Sequence, residues 1–211
     1  MAMRAESEKR GDHPRLGLAV GIILVLWAVY TAVYTLPLGD ALSAGLELIP
    51  GILGLTILTM GIRFTPDECY LQMRPLSKKG LALLIAFFIA LIPILLSGRW
   101  AGWSWTSGLI YAPASGIAQE LFFRASLLPV TIKLFRHRRL LAVFVQSALF
   151  AVWHIPLAVA TAPLAGAIAV VIVTFIGGML WGWQVQRDRT IYWAMCQHII
   201  YLVLMSLFVW E

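Results

Sequence analysis

Apolar stretches about as long as a bilayer is thick follow one another along this chain, separated by short polar segments. Windows of about 20 residues, read against a hydrocarbon core of ~30 Å, fall near 16–38, 41–61, 80–97, 105–129, 140–160, 163–184 and 190–209. Inside hydrocarbon each backbone N–H and C=O has to be satisfied within the protein, so helices are the expected spanning elements. The expected fold is therefore all-α, a polytopic transmembrane helical bundle of about seven spans. Only 12% of residues are charged, about half the share of an ordinary soluble domain, and the mean hydropathy is +0.86. No stretch is left over for a separate soluble catalytic domain. Residues 1–15 are too polar and too mixed in charge for the apolar core of a signal peptide. They read as a cytoplasmic tail ahead of a single transmembrane domain at 16–211. The third stretch is short and holds Pro93, which predicts a tilt or kink. The fourth carries Thr106, Ser107, Ser115 and Gln119 and is expected to be broken or partly re-entrant.

Orientation follows from the cations. Arg4, Lys9, Arg10 and Arg15 precede the first stretch; Arg63, Arg74, Lys78 and Lys79 separate the second from the third. Lys133, Arg136, Arg138 and Arg139 follow the fourth, and Arg187 and Arg189 the sixth, all on one side of a seven-span arrangement. The opposite side has Arg99 alone. The positive-inside rule then places the N-terminus in the cytoplasm and Trp210-Glu211 outside. This bias accounts for the formal charge of +6 without a nucleic-acid partner. The basic run at 133–139 is expected to meet lipid headgroups. Cys69 and Cys196 lie in different environments, so no disulfide is expected.

Against this background the polar residues inside apolar stretches stand out. Gln119-Glu120-Leu-Phe-Phe-Arg124 lies between Ile110–Ala118 and Ala125–Val130; His154 follows Phe150-Ala-Val-Trp, and His198 lies within the last stretch. An ionisable group at membrane depth costs roughly 2.5–3.5 kcal/mol on insertion scales, which favours gathering such groups together. Glu120 and Arg124 share a helix face. Read singly, they are a neutralising ion pair, and each histidine is a satisfied core side chain. Counted from the inner ends at about 1.5 Å per residue, Glu120 and His198 fall roughly 14 and 12 Å deep and His154 nearer 20 Å. The side-chain tips of Glu120, His154 and His198 are therefore expected to converge within about 8 Å. A carboxylate, a guanidinium and two imidazoles out of bulk water suit acid–base chemistry. A zinc set of His154, His198 and Glu120 fits the residue types as a weaker alternative, because Arg124 beside the carboxylate repels a dication. Glu47, about two turns into the second stretch, reads as a snorkelling or paired side chain outside the site.

Together these motifs resemble the CAAX prenyl protease and bacteriocin-processing family of intramembrane glutamic endopeptidases, also called Abi proteins. That family carries Glu-Glu-x-x-x-Arg, Phe-x-x-x-His and His-x-x-x-Asn/Asp on successive late spans. Here the first is Gln119-Glu120-Leu-Phe-Phe-Arg124, the second is Phe150-Ala-Val-Trp-His154, and the third keeps His198 but has Leu202 at its end. Gly178-Met-Leu-Trp-Gly182 and the polar turn 186–190 also match, so the resemblance covers about 105–205. It implies a membrane endopeptidase, integral to a bacterial cytoplasmic membrane, that cuts a membrane-bound or lipidated peptide with activated water and no cofactor. It implies site roles for Gln119, Glu120, Arg124, His154 and His198. By analogy the first acid and the middle histidine activate water, the last histidine stabilises the oxyanion, and the arginine orients the acids. Gln119 is no base and Leu202 donates nothing, which leaves two alternatives open. One is a relative that binds transmembrane or lipoprotein partners without cutting them; the other is a different transfer reaction on lipoproteins.

Overall fold

Each apolar stretch forms a helix. The computed structural model describes residues 2–36, 38–136 and 138–209; the C-terminal pair Trp210-Glu211 lies outside them. In chain order the helices are α1 (Ala2–Tyr34), α2 (Asp40–Thr56), α3 (Lys78–Ser97), α4 (Ala112–Gln119), α5 (Leu128–Leu134), α6 (Arg139–Thr161), α7 (Leu164–Asp188) and α8 (Tyr192–Met205). The polar tail is the helical beginning of α1, in keeping with its Ala, Met, Glu, Lys and Arg content. α3 runs through Pro93 as one helix. Neighbouring groups and local adjustments re-satisfy backbone freed by proline in membrane helices.

The fourth stretch is not broken. It is helical from 105 to 134, but its turns widen at Ser107–Tyr111 and Glu120–Leu127, where hydrogen bonds close from i to i+5. Such π-helical turns recur at functional sites, and the second begins at Glu120. α2 also ends in one, Ile57–Gly61. At the other end of the bundle Arg99–Trp100 pairs antiparallel with Phe208–Val209, a two-residue contact that leaves the fold all-α.

Among the described residues five helical spans are long and apolar enough to cross a membrane: Arg15–Tyr34, Ala41–Gly61, Lys78–Ser97, Arg139–Thr161 and Leu164–Asp188. Their side chains are largely turned outward. On α7, Ile168, Ile172 and Ile176 recur every fourth residue and are each about half exposed; on α3, Ile85, Ile89 and Ile92, spaced four and three apart, are similarly exposed. A face this apolar is stable only in lipid. The chain is an integral membrane protein.

Inside, aromatic packing replaces the aliphatic core of a soluble domain. Tyr30, Phe122, Phe123, Phe150 and Trp153 are all buried and in mutual ring contact. Small residues let the helices close on this core. A Cβ on Gly116 would come within 2.8 Å of Ile199, so α4 and α8 touch there backbone to side chain.

At the basic end the 62–77 loop acts as a clamp. Asp67 accepts from Arg74 at 2.7 Å and from Arg189, and Glu68 pairs with Lys133 at 2.9 Å. Tyr192 Oη–H donates to the Leu71 carbonyl at 3.0 Å and Trp193 Nε1–H to that of Arg74 at 2.8 Å. The loop thus fastens the ends of α5 and α7 and the start of α8, setting the depth of the residues that follow on α8. Cys69 is buried in it and Cys196 is exposed on α8, both as free thiols.

Candidate active site

Glu120 opens the wide helical segment, and Arg124 lies four residues further along it. Neither is accessible to solvent. Arg124 Nη1 lies 3.2 Å from Glu120 Oε1, and His198 Nδ1, reaching in from α8, lies 2.8 Å from the same oxygen. A carboxylate oxygen accepts, so His198 Nδ1 carries the proton of this bond and its Nε2 faces elsewhere. Glu120 Oε2 has no partner among the described residues, nor do Nε and Nη2 of Arg124. The guanidinium is instead covered by aromatic faces, 4.5 Å from the centre of Phe150 and 5.6 Å from that of Trp181. These contacts favour a cation where water is excluded. Trp181, supplied by α7, also stacks on His198 at 4.4 Å and 29°.

His154 comes from α6, one turn after Phe150. Its Nδ1 lies 2.8 Å from the Phe150 carbonyl, an acceptor, so Nδ1–H donates and Nε2 keeps its lone pair. The ring is wedged among Phe150, Trp153 and Tyr34, with centroid separations of 4.7, 4.7 and 5.8 Å. Phe150 also borders His198 at 6.1 Å. The structure therefore joins Glu120, Arg124 and His198 directly and sets His154 beside them against a shared phenyl ring.

Gln119 is buried on the other side of Glu120. Its Nε2 donates to Ser115 Oγ at 2.9 Å, whose own proton goes to Glu47 Oε2 at 2.7 Å. Tyr111 Oη–H donates to Glu47 Oε1 at 3.1 Å. Glu47 is 1% exposed. It is paired, as its lone position suggested, and its partners Ser115 and Tyr111 lie on the helical run that carries Gln119 and Glu120.

Further polar side chains that sequence reading passed over are buried nearby. Gln197, next to His198, donates Nε2–H to Gln184 Oε1 at 3.0 Å. Gln146, one turn before Phe150 on α6, has both side-chain polar atoms unpartnered among the described residues. Their signal was uncharged amides inside apolar runs, one helical turn or less from a motif residue. Among the described residues no three His, Cys, Asp or Glu side chains are grouped as a metal ion requires.

Residues 100–204 match the family model described as type II CAAX prenyl endopeptidase Rce1-like. That span holds all three motifs and α4 through most of α8. Comparisons with curated proteins and with solved structures give no match. With its motifs assembled on adjoining helices and this match across them, the chain belongs to the Rce1-like family of CAAX-protease-type membrane endopeptidases.

Proposed function

We propose that this chain is an intramembrane endopeptidase acting on a membrane-bound or lipidated peptide, in which Glu120 has become the working carboxylate. One observation carries the reading: Glu120 Oε2 and the Arg124 donors are buried and unpartnered beside His198. A buried polar group without a partner costs about 1–3 kcal/mol, and a charged one more. A polar guest relieves that cost, and a water and a peptide carbonyl are such guests.

The parts divide as follows. Glu120 Oε2 and His154 Nε2 are the available proton acceptors for a water attacking the scissile carbonyl. The Nε and Nη2 donors of Arg124 are fixed in a site without bulk water, where they stabilise negative charge more strongly than in solution. His198 holds Glu120 Oε1, so the carboxylate cannot turn its free oxygen away. The tetrahedral intermediate collapses with proton return to the leaving amine, and His154 is the group able to deliver it. No cofactor takes part in this scheme. The basic end faces the cytoplasm of a bacterial cell and holds anionic lipid.

Hydrolysis of prenylated and transmembrane-segment peptides by the purified chain tests this. Glu120→Gln should lower the rate by about 10²–10⁴-fold, the usual worth of a general base, and His154→Ala should lower it comparably. Wild-type turnover no faster than His154→Ala would sink the peptidase reading. The second reading, a binding protein for transmembrane or lipoprotein partners, would then stand in its place. It is favoured by Leu202, which sets a hydrocarbon side chain one turn after His198 on α8.

A further inference from the structure

Glu47 is a buried carboxylate that the scheme above leaves unused. It projects from α2 and not from the matched segment, and it reaches the site because α2 and α4 pack closely. One turn after Glu47, a Cβ on Gly51 would come within 3.0 Å of the Ala118 carbonyl. That approach sets Glu47 opposite Ser115, one turn before Gln119.

The direction of this hydrogen-bond chain follows from counting protons. A carboxylate only accepts, so the single proton of Ser115 is committed to Glu47 Oε2 at 2.7 Å. Ser115 Oγ can then only accept from its other side, and it turns the NH₂ of Gln119 toward itself at 2.9 Å. The carbonyl oxygen of Gln119 is left pointing away from Ser115. It is buried and unpartnered among the described residues, and Gln119 as a whole is 2% exposed. An amide not held in this way could present either end.

We propose that Glu47 is a positioning residue of the site, acting through Ser115 to hold Gln119 with its carbonyl oxygen aimed at the substrate space next to Glu120. There it would accept a hydrogen bond from the attacking water or a peptide N–H. The inference deepens the peptidase reading and rests on it only for what Gln119 faces; the chain of bonds stands apart from it. A consequence concerns position 119 itself. A carboxylate there would meet a hydroxyl whose proton is already given to Glu47, with one proton between two acids. Exchanging the two side chains reverses the chain instead: the amide at 47 donates to Ser115, and Ser115 donates to the acid at 119.

The test is a melting cycle on the purified full chain in detergent, followed by tryptophan fluorescence. Gln119→Glu and Glu47→Gln alone should each lower Tm by about 4 °C or more, on the scale by which chains of this size respond to lost buried bonds. The double exchange should recover most of the combined loss. Losses that simply add would overturn the proposal. Should Gln119→Glu fail to accumulate, Ser115→Ala replaces it. Combined with Glu47→Gln it should cost no more than the costlier single change, and additivity again overturns the idea. Ser147→Ala, which breaks only a bond within its own helix, is the control and should move Tm little. In the peptide assay Ser115→Ala should lower kcat and leave KM unchanged. An unaltered kcat would refute the positioning role, whereas absence of turnover in wild type would refute the peptidase reading and leave the melting cycle to judge this one.

Discussion

Arg124 is held by one ion pair and two aromatic faces, with no exposed surface. Arg124→Ala strands Glu120 in the interior, and breaking a buried pair from one side costs about 3–5 kcal/mol. Lys133 also pairs with a glutamate, but both partners are about a third exposed, where an ion pair is worth about 1 kcal/mol or less. Arg124→Ala should therefore lower the melting temperature several times more than Lys133→Ala, and equal losses would mean that Arg124 reaches water. The ionisable residues of the site were legible in the sequence because charge inside hydrocarbon is costly wherever it occurs. The amides were not: Gln146, Gln184 and Gln197 are tolerable in an apolar run, and only their burial beside the site gives them meaning.

At the scale of elements, the 62–77 loop ties helix ends together through Asp67 and Glu68. The hydrogen bond from Arg189, aided by Arg74, holds the Asp67 carboxyl below its usual range. Partial burial pushes the Glu68 carboxyl up, but the Thr65 N–H and Lys133 outweigh it, and the net direction is down. A group depressed on folding stabilises the fold above its unfolded pKa, and the gain is lost as pH falls through the folded one. The clamp's contribution should thus be constant from neutral pH to about pH 5 and be lost below about pH 4, near the unfolded carboxylate values. Asp67→Asn should shallow that loss; melting curves between pH 7 and 3 would show it, and an unchanged slope would remove Asp67 from the clamp. Helix positions followed from apolar run lengths, yet the π-helical turn at Glu120–Leu127 did not. Apart from Glu120 and Arg124, the residue types within it are ordinary for a membrane helix, and none of them signals a wider turn. The widening arises where Glu120 and Arg124 meet α8 and the aromatic core, which is a tertiary condition.

For the whole molecule, the outward apolar faces and the one-sided cations describe a protein whose solvent is lipid. The positive-inside rule expects the end bearing Lys79 to face the cytoplasm and the end bearing Ala101 to face outward. In a Cys196→Ala background, a membrane-impermeant thiol reagent should label Ala101→Cys in intact cells. Lys79→Cys should label only after permeabilisation. Both positions are exposed, while native Cys69 is buried with its thiol pushed up to about 12, chiefly by burial. The reverse pattern would invert the topology and move the clamp to the outer side.

By itself the sequence determined the class of the protein, the positions of its helices, the asymmetry of its charge and the identity of the ionisable residues at its centre. Each of these follows from transfer free energies that act residue by residue, whatever the partner. Which side chains meet across helices is another matter. That His198 rather than His154 takes Glu120, that Phe150 borders both imidazoles, and that Glu47 reaches Gln119 through Ser115 depend on where small residues such as Gly51 and Gly116 let backbones approach. Hydrogen bonds act over about 3 Å and here join groups as much as 122 residues apart, so only the packed bundle could decide them.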